Sequence, residues 1–269
     1  MLPSTVAAVQ TLPRMGSTDA NLDAVEREVE GVEADLVVLP ELFASGYFFE
    51  SPEQARALAE VVPGGPTVKR LERWAQRTGS TFVAGLPERD GDRLYNSAVV
   101  VTPRGWLGTY RKTHLFYEET VHFLPGDSGF RVWTVSDRNG RAYRLGVMVC
   151  FDWYYPEAAR TLAVRGADVV AHPSNLVLPH CPDSMPVRAL ENKVFTITAN
   201  RIGTEHNGRE PLTFIGNSVI CAPGGETLAR ASADQVEVIA ARIDPHRARA
   251  KTLSAYNDIL TGRRPEYYG

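Results

Sequence analysis

The chain has 269 residues, of which 43% are hydrophobic and 23% charged, and its net charge is −3. This composition supplies enough apolar material for a large core, and the even mixing of acidic and basic residues argues against a nucleic-acid-binding surface. No apolar run approaches the length of a membrane span, and the three cysteines lie far apart without a CxxC pair, which argues against a disulfide framework or a zinc site.

The first predicted unit consists of a strand, a helix and a second strand. Apolar runs at residues 5–9 and 36–39 are typical of buried strands. Between them, apolar side chains recur at helical spacing, at Leu22, Val25, Val29 and Val32. A helix that connects two strands in this way is the usual crossover between parallel strands.

Two helices with clear boundary signals are predicted next. Ser51 is suited to cap a helix, Pro52 fits the first helical position, and Gln54 completes a capping box. The second helix is predicted over residues 66–78, with Gly79 as its C-terminal stop.

Strands dominate the predicted middle of the chain. Turns at Asp90-Gly91 and Pro103-Arg104-Gly105 separate three apolar runs, at residues 81–85, 97–102 and 106–110. Asn139-Gly140 lies between apolar runs at residues 132–135 and 144–149 and is the strongest hairpin signal in the chain.

The remaining residues alternate between helix and strand patterns. Helices are predicted at residues 156–165 and about 186–192, and strands at residues 167–171, 194–199, 214–221 and 236–243. Because no linker or composition break interrupts the pattern, we predict one domain over residues 1–269, with helices covering two stacked sheets. Residues 251–269 have few core-like positions, so we expect this tail to pack on the surface or on a partner subunit.

Three polar residues stand at the ends of apolar strands and are candidates for catalysis. Glu41, Lys112 and Cys150 follow the runs ending at residues 40, 111 and 149. The carboxyl ends of strands in α/β layers are where binding crevices open, so these side chains can meet. Taken singly, each also has an ordinary interpretation: a small buried cysteine, a solvated lysine and a carboxylate satisfied by local hydrogen bonds.

Together the three residues make a chemically complete set. A cysteine thiol needs a base or a nearby cation to become a nucleophile, because only a small fraction is thiolate at neutral pH. Glu41 can accept the thiol proton, and the Lys112 ammonium can stabilise negative charge on sulfur and then on an oxyanion.

The segments around these residues resemble the three signature blocks of the nitrilase superfamily of carbon–nitrogen hydrolases. They are LPELF at residues 39–43, YRKTHLF at 110–116 and VCFD at 149–152. Supporting segments follow in the family order, at residues 125–127, 155–160, 172–175 and 188–192. The resemblance covers the chain from about residue 5 to residue 268 without a large insertion.

The resemblance implies an α/β fold, a four-layer αββα sandwich that pairs through its helices into homodimers or higher homo-oligomers. It also implies a second glutamate shortly after the lysine. Glu119, seven residues after Lys112, fits the family pattern better than the adjacent Glu118. No metal or organic cofactor is expected, and the cysteine usage and the absence of a secretory signal favour a cytoplasmic location.

The expected reaction is hydrolysis of a small amide through a thioester on Cys150. The Lys112 ammonium and, as the resemblance implies, the backbone N–H of Phe151 are expected to hold the oxyanion. By their positions beside the matched motifs, five side chains are expected to line the substrate pocket: Phe43, Tyr47, Trp153, Tyr154 and Asn175. For the aromatic residues, ordinary core packing is an equally good interpretation.

The residues after the cysteine bear on the substrate. Phe151-Asp152 favours an amide hydrolase over a nitrilase, which typically has Trp-Glu there. Trp153 and Tyr154 occupy the places where carbamoylases acting on D-amino acids carry paired arginines, which argues against that specificity. Small nitriles and N-carbamoyl compounds stay open as alternative substrates.

Three interpretations from other classes also stay open. A Cys–His hydrolase would need a base among His114, His122, His172 and His180, and the sequence favours none of them. A metal site is disfavoured because no ligand spacing is present. A catalytically silent homologue that serves as a binding or assembly subunit is disfavoured because every catalytic residue type is retained.

Overall fold

The computed structural model describes residues 3–268, in which strands and helices alternate. The strands are β1 (Ser4–Gln10), β2 (Leu36–Val38), β3 (Thr81–Asp90), β4 (Arg93–Thr102), β5 (Gly105–Arg111), β6 (Val132–Ser136), β7 (Ala142–Val147), β8 (Val169–Pro173), β9 (Phe195–Ala199), β10 (Ile202–His206), β11 (Pro211–Ile215), β12 (Val219–Cys221), β13 (Thr227–Arg230), β14 (Glu237–Ile243), β15 (Thr252–Ser254) and β16 (Asn257–Asp258). The helices are α1 (Thr18–Val29), α2 (Pro52–Leu58), α3 (Pro66–Thr78), α4 (Glu119–His122), α5 (Pro156–Val164) and α6 (His180–Asn192).

Two six-stranded sheets form the centre of the molecule, with strand orders β14-β1-β2-β3-β4-β5 and β13-β12-β9-β8-β7-β6. In the first sheet β1, β2 and β3 are parallel, and the antiparallel pairs β3–β4 and β4–β5 leave β5 pointing the same way as β2. In the second sheet β7, β8 and β9 are parallel. The carboxyl ends of β2 and β5 therefore lie at the same edge of their sheet.

The two sheets pack face to face over a shared apolar core, in which Val38 and Val83 of the first sheet join Val147 and Ala171 of the second. Helices α1 and α3 cover the outer face of the first sheet through residues such as Leu22. Helices α5 and α6 cover the second. The predicted four-layer αββα sandwich is confirmed, and strands buried on both faces explain the continuous apolar runs of the sequence.

Boundary signals in the first half of the chain predicted the helix ends well. The Ser51 hydroxyl accepts a hydrogen bond from the Gln54 backbone N–H at 3.3 Å, although the Gln54 side chain accepts from the Glu50 N–H and not from residue 51. Helix α3 has the predicted bounds, and Gly79 ends it with a φ of 73°. A residue without Cβ adopts this left-handed conformation without strain.

The predicted hairpin is present as the antiparallel pair β6–β7, with Ser136 opposite Ala142. Its loop is organised by the Asp137 carboxylate, which accepts hydrogen bonds from the backbone N–H groups of Asn139 and Arg141 at 3.0 and 2.8 Å. Gly140 has a φ of 80°, the conformation for which the Asn-Gly signal selects.

Two predicted elements in the second half were wrong in their extent. The single strand expected at residues 214–221 is divided into β11 and β12, because Gly216 and Asn217 have φ values of 59° and 58° that no strand accommodates. Helix α6 begins at His180, six residues before the predicted start at Pro186, and that proline lies inside the helix. In the sequence this proline is typical of a helix start, because proline is tolerated best in the first turn.

Residues 251–268 lie against α5 and α6. The Lys251 ammonium donates to the carbonyl oxygens of Asn192 and Lys193, at 3.0 and 2.7 Å, just beyond the end of α6. A cavity opens between this tail and the helices, lined by residues that include Arg160 and Tyr268. None of the helices within residues 3–268 is long and apolar enough to span a membrane.

Candidate active site

Glu41, Lys112 and Cys150 are brought together where three strands end. Glu41 lies three residues after β2, Lys112 directly follows β5, and Cys150 lies three residues after β7 on the facing sheet. The Glu41 and Lys112 side chains are completely buried, and Cys150 is 4% exposed. The topology explains the meeting, because strands that point the same way in two stacked sheets end on one side of the sandwich.

Lys112 is held between two carboxylates. Its ammonium donates hydrogen bonds to Glu41 Oε1 and to Glu119 Oε1, both at 2.7 Å. The Asn96 side-chain amide also donates to Glu41 Oε1 at 2.7 Å and to Glu119 Oε2 at 3.3 Å. Glu41 Oε2, by contrast, is buried without a hydrogen-bond partner among residues 3–268. One oxygen of Glu41 is therefore fixed and the other is free for chemistry.

Burial and charge set the protonation of this cluster. Burial, together with the nearby Glu119 carboxylate, raises the pKa of Glu41 to about 7, although the Lys112 ammonium opposes the rise. Burial alone would lower the pKa of Lys112, but the charges of Glu119 and Glu41 outweigh it and raise that pKa above its ordinary value. Near neutral pH the ammonium is charged and Glu41 is balanced between its two protonation states.

The thiol of Cys150 is electrically linked to this cluster. Burial raises its pKa well above the ordinary value, and the charge of Glu41 raises it further, while Lys112 lowers it. The expectation that Lys112 favours the thiolate is correct in direction, but burial outweighs the lysine. The resting cysteine is thus a neutral thiol that needs a base when it attacks.

Cys150 lies in a strained turn. Its φ of 42° is unusual for a residue with a side chain, and it begins a 3-10 helix, Cys150–Tyr154, that precedes α5. The His172 imidazole supports the turn by donating from Nε2 to the Cys150 carbonyl oxygen at 2.9 Å. A strained turn after a strand presents the side chain at the sheet edge, next to backbone N–H groups that have no helical acceptor.

Asp152 ties this turn to the segment that carries Lys112. Its Oδ2 accepts hydrogen bonds from the Val149 N–H at 2.9 Å and the Tyr110 hydroxyl at 2.7 Å. Its Oδ1 accepts from the His114 backbone N–H at 3.1 Å and contacts the His114 ring Nδ1 at 2.8 Å. The turn of Cys150 and the segment of Lys112 are therefore positioned by the same buried carboxylate.

The loop of Glu41 is fixed by two close contacts. Gly85 of β3 exchanges hydrogen bonds with its flanks, donating to the Pro40 carbonyl and accepting from the Phe43 N–H, and a Cβ at position 85 would overlap the Glu41 backbone. The Asn175 side-chain amide donates to the Glu41 carbonyl oxygen at 2.8 Å.

A cleft opens beside Cys150. The cleft is narrow and open to solvent. The residues that line it are Phe116, Cys150, Phe151, Trp153, Tyr154, Asn175, Leu176, Val177 and Leu178. Four of the residues predicted to meet substrate, Phe151, Trp153, Tyr154 and Asn175, thus lie at the cleft.

Two of the predicted pocket residues lie elsewhere. Tyr47 is buried behind the cluster, and its hydroxyl donates to Glu119 Oε1 at 2.6 Å. Phe43 packs into the core under α1 and α3, in agreement with the core-packing interpretation of this residue. Glu119 is 4% exposed and contacts Lys112, whereas Glu118 faces outward and pairs with Arg209 at 2.7 Å.

Of the four histidines considered as alternative bases, His122 packs its ring against Phe49, with ring centres 5.6 Å apart. His172 is fully buried, and burial lowers its pKa to about 4, so its ring is neutral. Because Nε2 donates to a carbonyl oxygen, Nδ1 is the acceptor of the Thr198 hydroxyl at 3.0 Å. His114 contacts Asp152, and His180 begins α6. None of these four rings has a contact with the Cys150 thiol among the hydrogen bonds of the described residues.

Four further residues of the site form contacts that a single sequence does not reveal. Asn96 lies in the middle of β4, and Tyr110 is in β5, where both would pass for ordinary strand residues. Asp152 and His172 lie within the matched motifs, where Asp152 indicated the class of substrate and His172 was one of four alternative bases, but no structural contact was predicted for either. Each is defined by contacts with residues far away in the sequence, which neighbouring residues do not indicate.

Known proteins resemble this chain over almost its full length. Residues 5–252 match the family model described as carbon-nitrogen hydrolase. A protein of Pyrococcus abyssi named nitrilase is 50% identical over 266 residues, which are 98% of each chain. An (R)-stereoselective amidase of a Pseudomonas species is 33% identical over 271 residues, covering 97% of this chain and 94% of the other.

Solved structures also match closely. An amidase from Nesterenkonia sp. AN1 superposes with a TM-score of 0.78 at 26% identity, covering 98% of this chain and 95% of the other. That structure, of a glutamate-to-glutamine variant, shows covalent addition of the acetamide moiety of fluoroacetamide at the active-site cysteine.

Proposed function

The chain belongs to the carbon–nitrogen hydrolase family, and we propose that it hydrolyses small amides through a thioester on Cys150. The observation that carries the proposal is the asymmetry of Glu41, whose Oε1 is held by Lys112 and Asn96 while Oε2 has no partner within the described chain. A carboxylate of this kind, with a pKa of about 7 and beside a neutral thiol, is suited to take a proton and return it.

In the first half of the proposed reaction, the Cys150 sulfur bonds to the amide carbon while Glu41 takes the thiol proton. The oxyanion that forms is stabilised by the Lys112 ammonium and the Phe151 backbone N–H. Glu41 then gives its proton to the amide nitrogen, the carbon–nitrogen bond breaks, and ammonia or an amine leaves. The product is a thioester between Cys150 and the acyl group.

In the second half, Glu41 removes a proton from water as the oxygen adds to the thioester carbon. The second oxyanion occupies the same position beside Lys112. Its collapse breaks the carbon–sulfur bond, the sulfur recovers its proton from Glu41, and the acid leaves. Glu119 keeps Lys112 in place through both halves and positions the scissile amide. The Asn175 Oδ1, buried without a partner in the part of the chain that is described, is placed to accept from the amide N–H.

The cleft supports a small acyl group. Its lining is mainly aromatic and aliphatic, and no arginine or lysine lines it within residues 3–268, so a substrate carboxylate has no cation to pair with there. This supports neutral aliphatic or aromatic amides over N-carbamoyl amino acids.

Small nitriles are a second candidate, because the Pyrococcus abyssi relative at 50% identity is named a nitrilase. The same cysteine would add to the nitrile carbon, Glu41 would transfer the thiol proton to the nitrogen, and hydrolysis of the resulting thioimidate would give the acid and ammonia.

The test is ammonia release from matched sets of amide, nitrile and N-carbamoyl compound, with wild type and Cys150→Ala measured together. We expect wild-type turnover of amides, loss of all turnover in Cys150→Ala, and a hydroxamate when hydroxylamine is added, because hydroxylamine intercepts a thioester. Turnover by Cys150→Ala equal to wild type would refute the mechanism.

Other outcomes distinguish the alternatives. Faster turnover of the nitrile than of the matched amide would select the nitrilase interpretation. If wild type turns over no compound and iodoacetamide labels its three cysteines equally slowly, the chain is a binding or assembly homologue. Labelling confined to Cys150 is expected for the enzyme, because Cys181 and Cys221 are fully buried away from the cleft.

A further inference from the structure

A two-stranded hairpin lies outside the two main sheets and packs beside the candidate active site. It consists of β10 and β11 and the turn between them, residues 202–215, with Ile202 opposite Ile215 and His206 opposite Pro211. At its base, the backbone N–H groups of Ile202 and Ile215 donate to carbonyl oxygens outside the hairpin. This hairpin contacts the two segments that carry Tyr47 and Glu119. Neither the sequence motifs nor the proposed reaction assign it a role.

The first strand of the hairpin, β10, holds the backbone of the Tyr47 loop. Glu205 Oε2 accepts hydrogen bonds from the N–H groups of Tyr47 and Phe48, at 3.0 and 2.9 Å. Its Oε1 forms an ion pair with Arg201 at 2.5 Å. Both charged side chains are at least 95% buried, so each depends on the other for compensation.

Arg201 is in turn fixed from three sides. Its guanidinium donates to the Pro13 carbonyl oxygen at 3.1 Å and lies 4.0 Å above the Phe214 ring of β11. The Tyr47 ring meets the same Phe214 edge to face, with ring centres 5.8 Å apart. Glu205, Arg201 and Phe214 therefore enclose Tyr47 on both its backbone and its ring.

The held tyrosine points at the catalytic cluster. Its hydroxyl donates to Glu119 Oε1 at 2.6 Å, the same oxygen that receives the Lys112 ammonium at 2.7 Å. A displacement of Tyr47 would thus be transmitted directly to the oxygen that restrains Lys112.

The turn of the hairpin holds the other side of Glu119. Arg209 donates to both carboxylate oxygens of Glu118, at 2.7 and 2.8 Å, and the Asn207 side chain donates to Glu118 Oε2 at 3.0 Å. The turn itself is ordered by Asn207 Oδ1, which accepts from the Arg209 and Glu210 N–H groups. Glu118 precedes Glu119 directly, so the hairpin restrains Glu119 through its neighbour as well as through Tyr47.

We propose that the hairpin positions Glu119 for catalysis, with Glu205 as the positioning residue that acts through Tyr47. The inference rests on the proposed function, in which Glu119 keeps Lys112 in place and positions the scissile amide. Because a misplacement of about 1 Å at a reacting group can cost on the order of 100-fold in rate, a restraint of this kind controls kcat.

The experiment is a double-mutant cycle with Glu205→Gln, Tyr47→Phe and the double variant. The glutamine amide must face either the two backbone N–H groups or Arg201, so one set of donors loses its acceptor. We expect each single variant to lower kcat by about 10- to 100-fold with a smaller change in KM. In the Tyr47→Phe background, Glu205→Gln should cost at most about threefold more, because the path to Glu119 is already cut.

A pH profile separates positioning from loss of folding. The Glu119 charge raises the pKa of both Glu41 and Cys150. If Glu119 moves away, the acidic limb of kcat/KM and the midpoint of Cys150 alkylation by iodoacetamide should both shift to lower pH. The alkylation needs no substrate, so it tests the hairpin even if the true substrate is missing from the panel.

Two matched controls separate the effect of the hairpin from a general loss of stability. Asp35 is also a buried carboxylate that accepts from backbone N–H groups and pairs with an arginine, Arg138, but it lies before β2 and away from the site. Asp35→Asn should lose stability without shifting either pH profile. Arg209→Ala should lower kcat by about two- to fivefold, whereas Arg77→Ala, which removes another exposed ion pair, should not.

The proposed hydrolase function and the proposed positioning role of the hairpin can be refuted independently. If wild type hydrolyses an amide but Glu205→Gln behaves like Asp35→Asn, or the cycle is additive, the hairpin has no positioning role and the function stands. If wild type has no hydrolase activity but alkylation of Cys150 still shifts in Glu205→Gln and Tyr47→Phe, the function fails and the positioning role stands.

Discussion

The two oxygens of the Glu41 carboxylate have different surroundings, and this difference suits the residue to its proposed role as a base. Lys112 and Asn96 donate to Oε1, which keeps the group oriented, while burial of the unpartnered Oε2 favours the protonated form. A base of this kind changes protonation near neutral pH rather than near 4.5, the ordinary value.

We therefore expect kcat/KM for a neutral amide to fall below about pH 7, because protonated Glu41 cannot accept the thiol proton. The sign follows from the upward shift: activity is full above this pKa and declines about tenfold per pH unit below it. The measurement is a kcat/KM profile from pH 4 to 9.

Glu60→Gln is the matched control, since Glu60 is another carboxyl group whose pKa burial raises, but it bonds to Thr67 and not to the site. Its profile should match that of wild type. An acidic limb centred near 4.5 in wild type would contradict the assignment of Glu41 as the base.

At the scale of elements, the approach of β3 to the Glu41 loop depends on a single glycine. Hydrogen bonds join Gly85 to Pro40 and Phe43 on either side of the catalytic residue, and no side chain fits between the two backbones. Strand β3 therefore fixes the position of the Glu41 backbone.

Gly85→Ala should lower kcat by about 100-fold and destabilise the fold by about 1–3 kcal/mol, because the added methyl group must displace the Glu41 backbone. Gly64→Ala is the control, since a Cβ at position 64 meets no atom within 4 Å. Kinetics and thermal unfolding of both variants test this, and a Gly85→Ala enzyme with wild-type kcat would show that the loop does not need this contact.

The turn that presents Cys150 depends on Asp152 in a similar way. Each carboxylate oxygen accepts from at least one backbone N–H group, Val149 on one side and His114 on the other. Asp152→Asn must therefore place its NH2 group against a donor. We expect about 1–3 kcal/mol of destabilisation and a fall in kcat that exceeds the change in KM.

Tyr110→Phe removes one of the four contacts of Asp152 and the hydrogen bond from the Thr113 backbone N–H, but it leaves both bonds of Asp152 to backbone N–H groups intact, so it should have the smaller effect of the two variants. Equal stability and equal kcat for Asp152→Asn and wild type would mean that the strained turn holds itself without this carboxylate.

At the scale of the whole molecule, α6 and the tail leave apolar side chains uncovered. Val187 and Leu190 lie three residues apart on α6 and are 51% and 46% exposed, and Leu253 in the tail is 64% exposed. Side chains at this spacing share one helix face. We predict that a second copy of the chain covers this face, in keeping with the homodimer expected from the sequence.

The double variant Val187→Glu with Leu190→Glu should be monomeric in analytical ultracentrifugation at a concentration where wild type is dimeric. Val61→Glu, which changes an equally exposed residue after α2, is the control and should stay dimeric. A wild-type chain that sediments as a monomer would contradict the prediction, and a double variant that stays dimeric would move the interface to another face.

The sequence by itself determined the fold class, most element positions and the three central catalytic candidates. Local signals sufficed because they act over a few residues: a capping serine at position 51, a glycine in the left-handed conformation at position 79, and an Asn-Gly hairpin turn each constrain their own neighbourhood. The strand ends at Glu41, Lys112 and Cys150 carried motifs whose order along the chain identified the family.

Tertiary structure decided what depends on distant contacts. Only the folded chain sets Glu119 against Lys112 and turns Glu118 outward to Arg209, and only it shows that Tyr47 lies behind the cluster instead of in the cleft. The pKa of Glu41 likewise follows from complete burial between two sheets, which no local pattern encodes. Burial, charge pairing and orientation are properties of residues far apart in the sequence, and they exist only once the sheets have stacked.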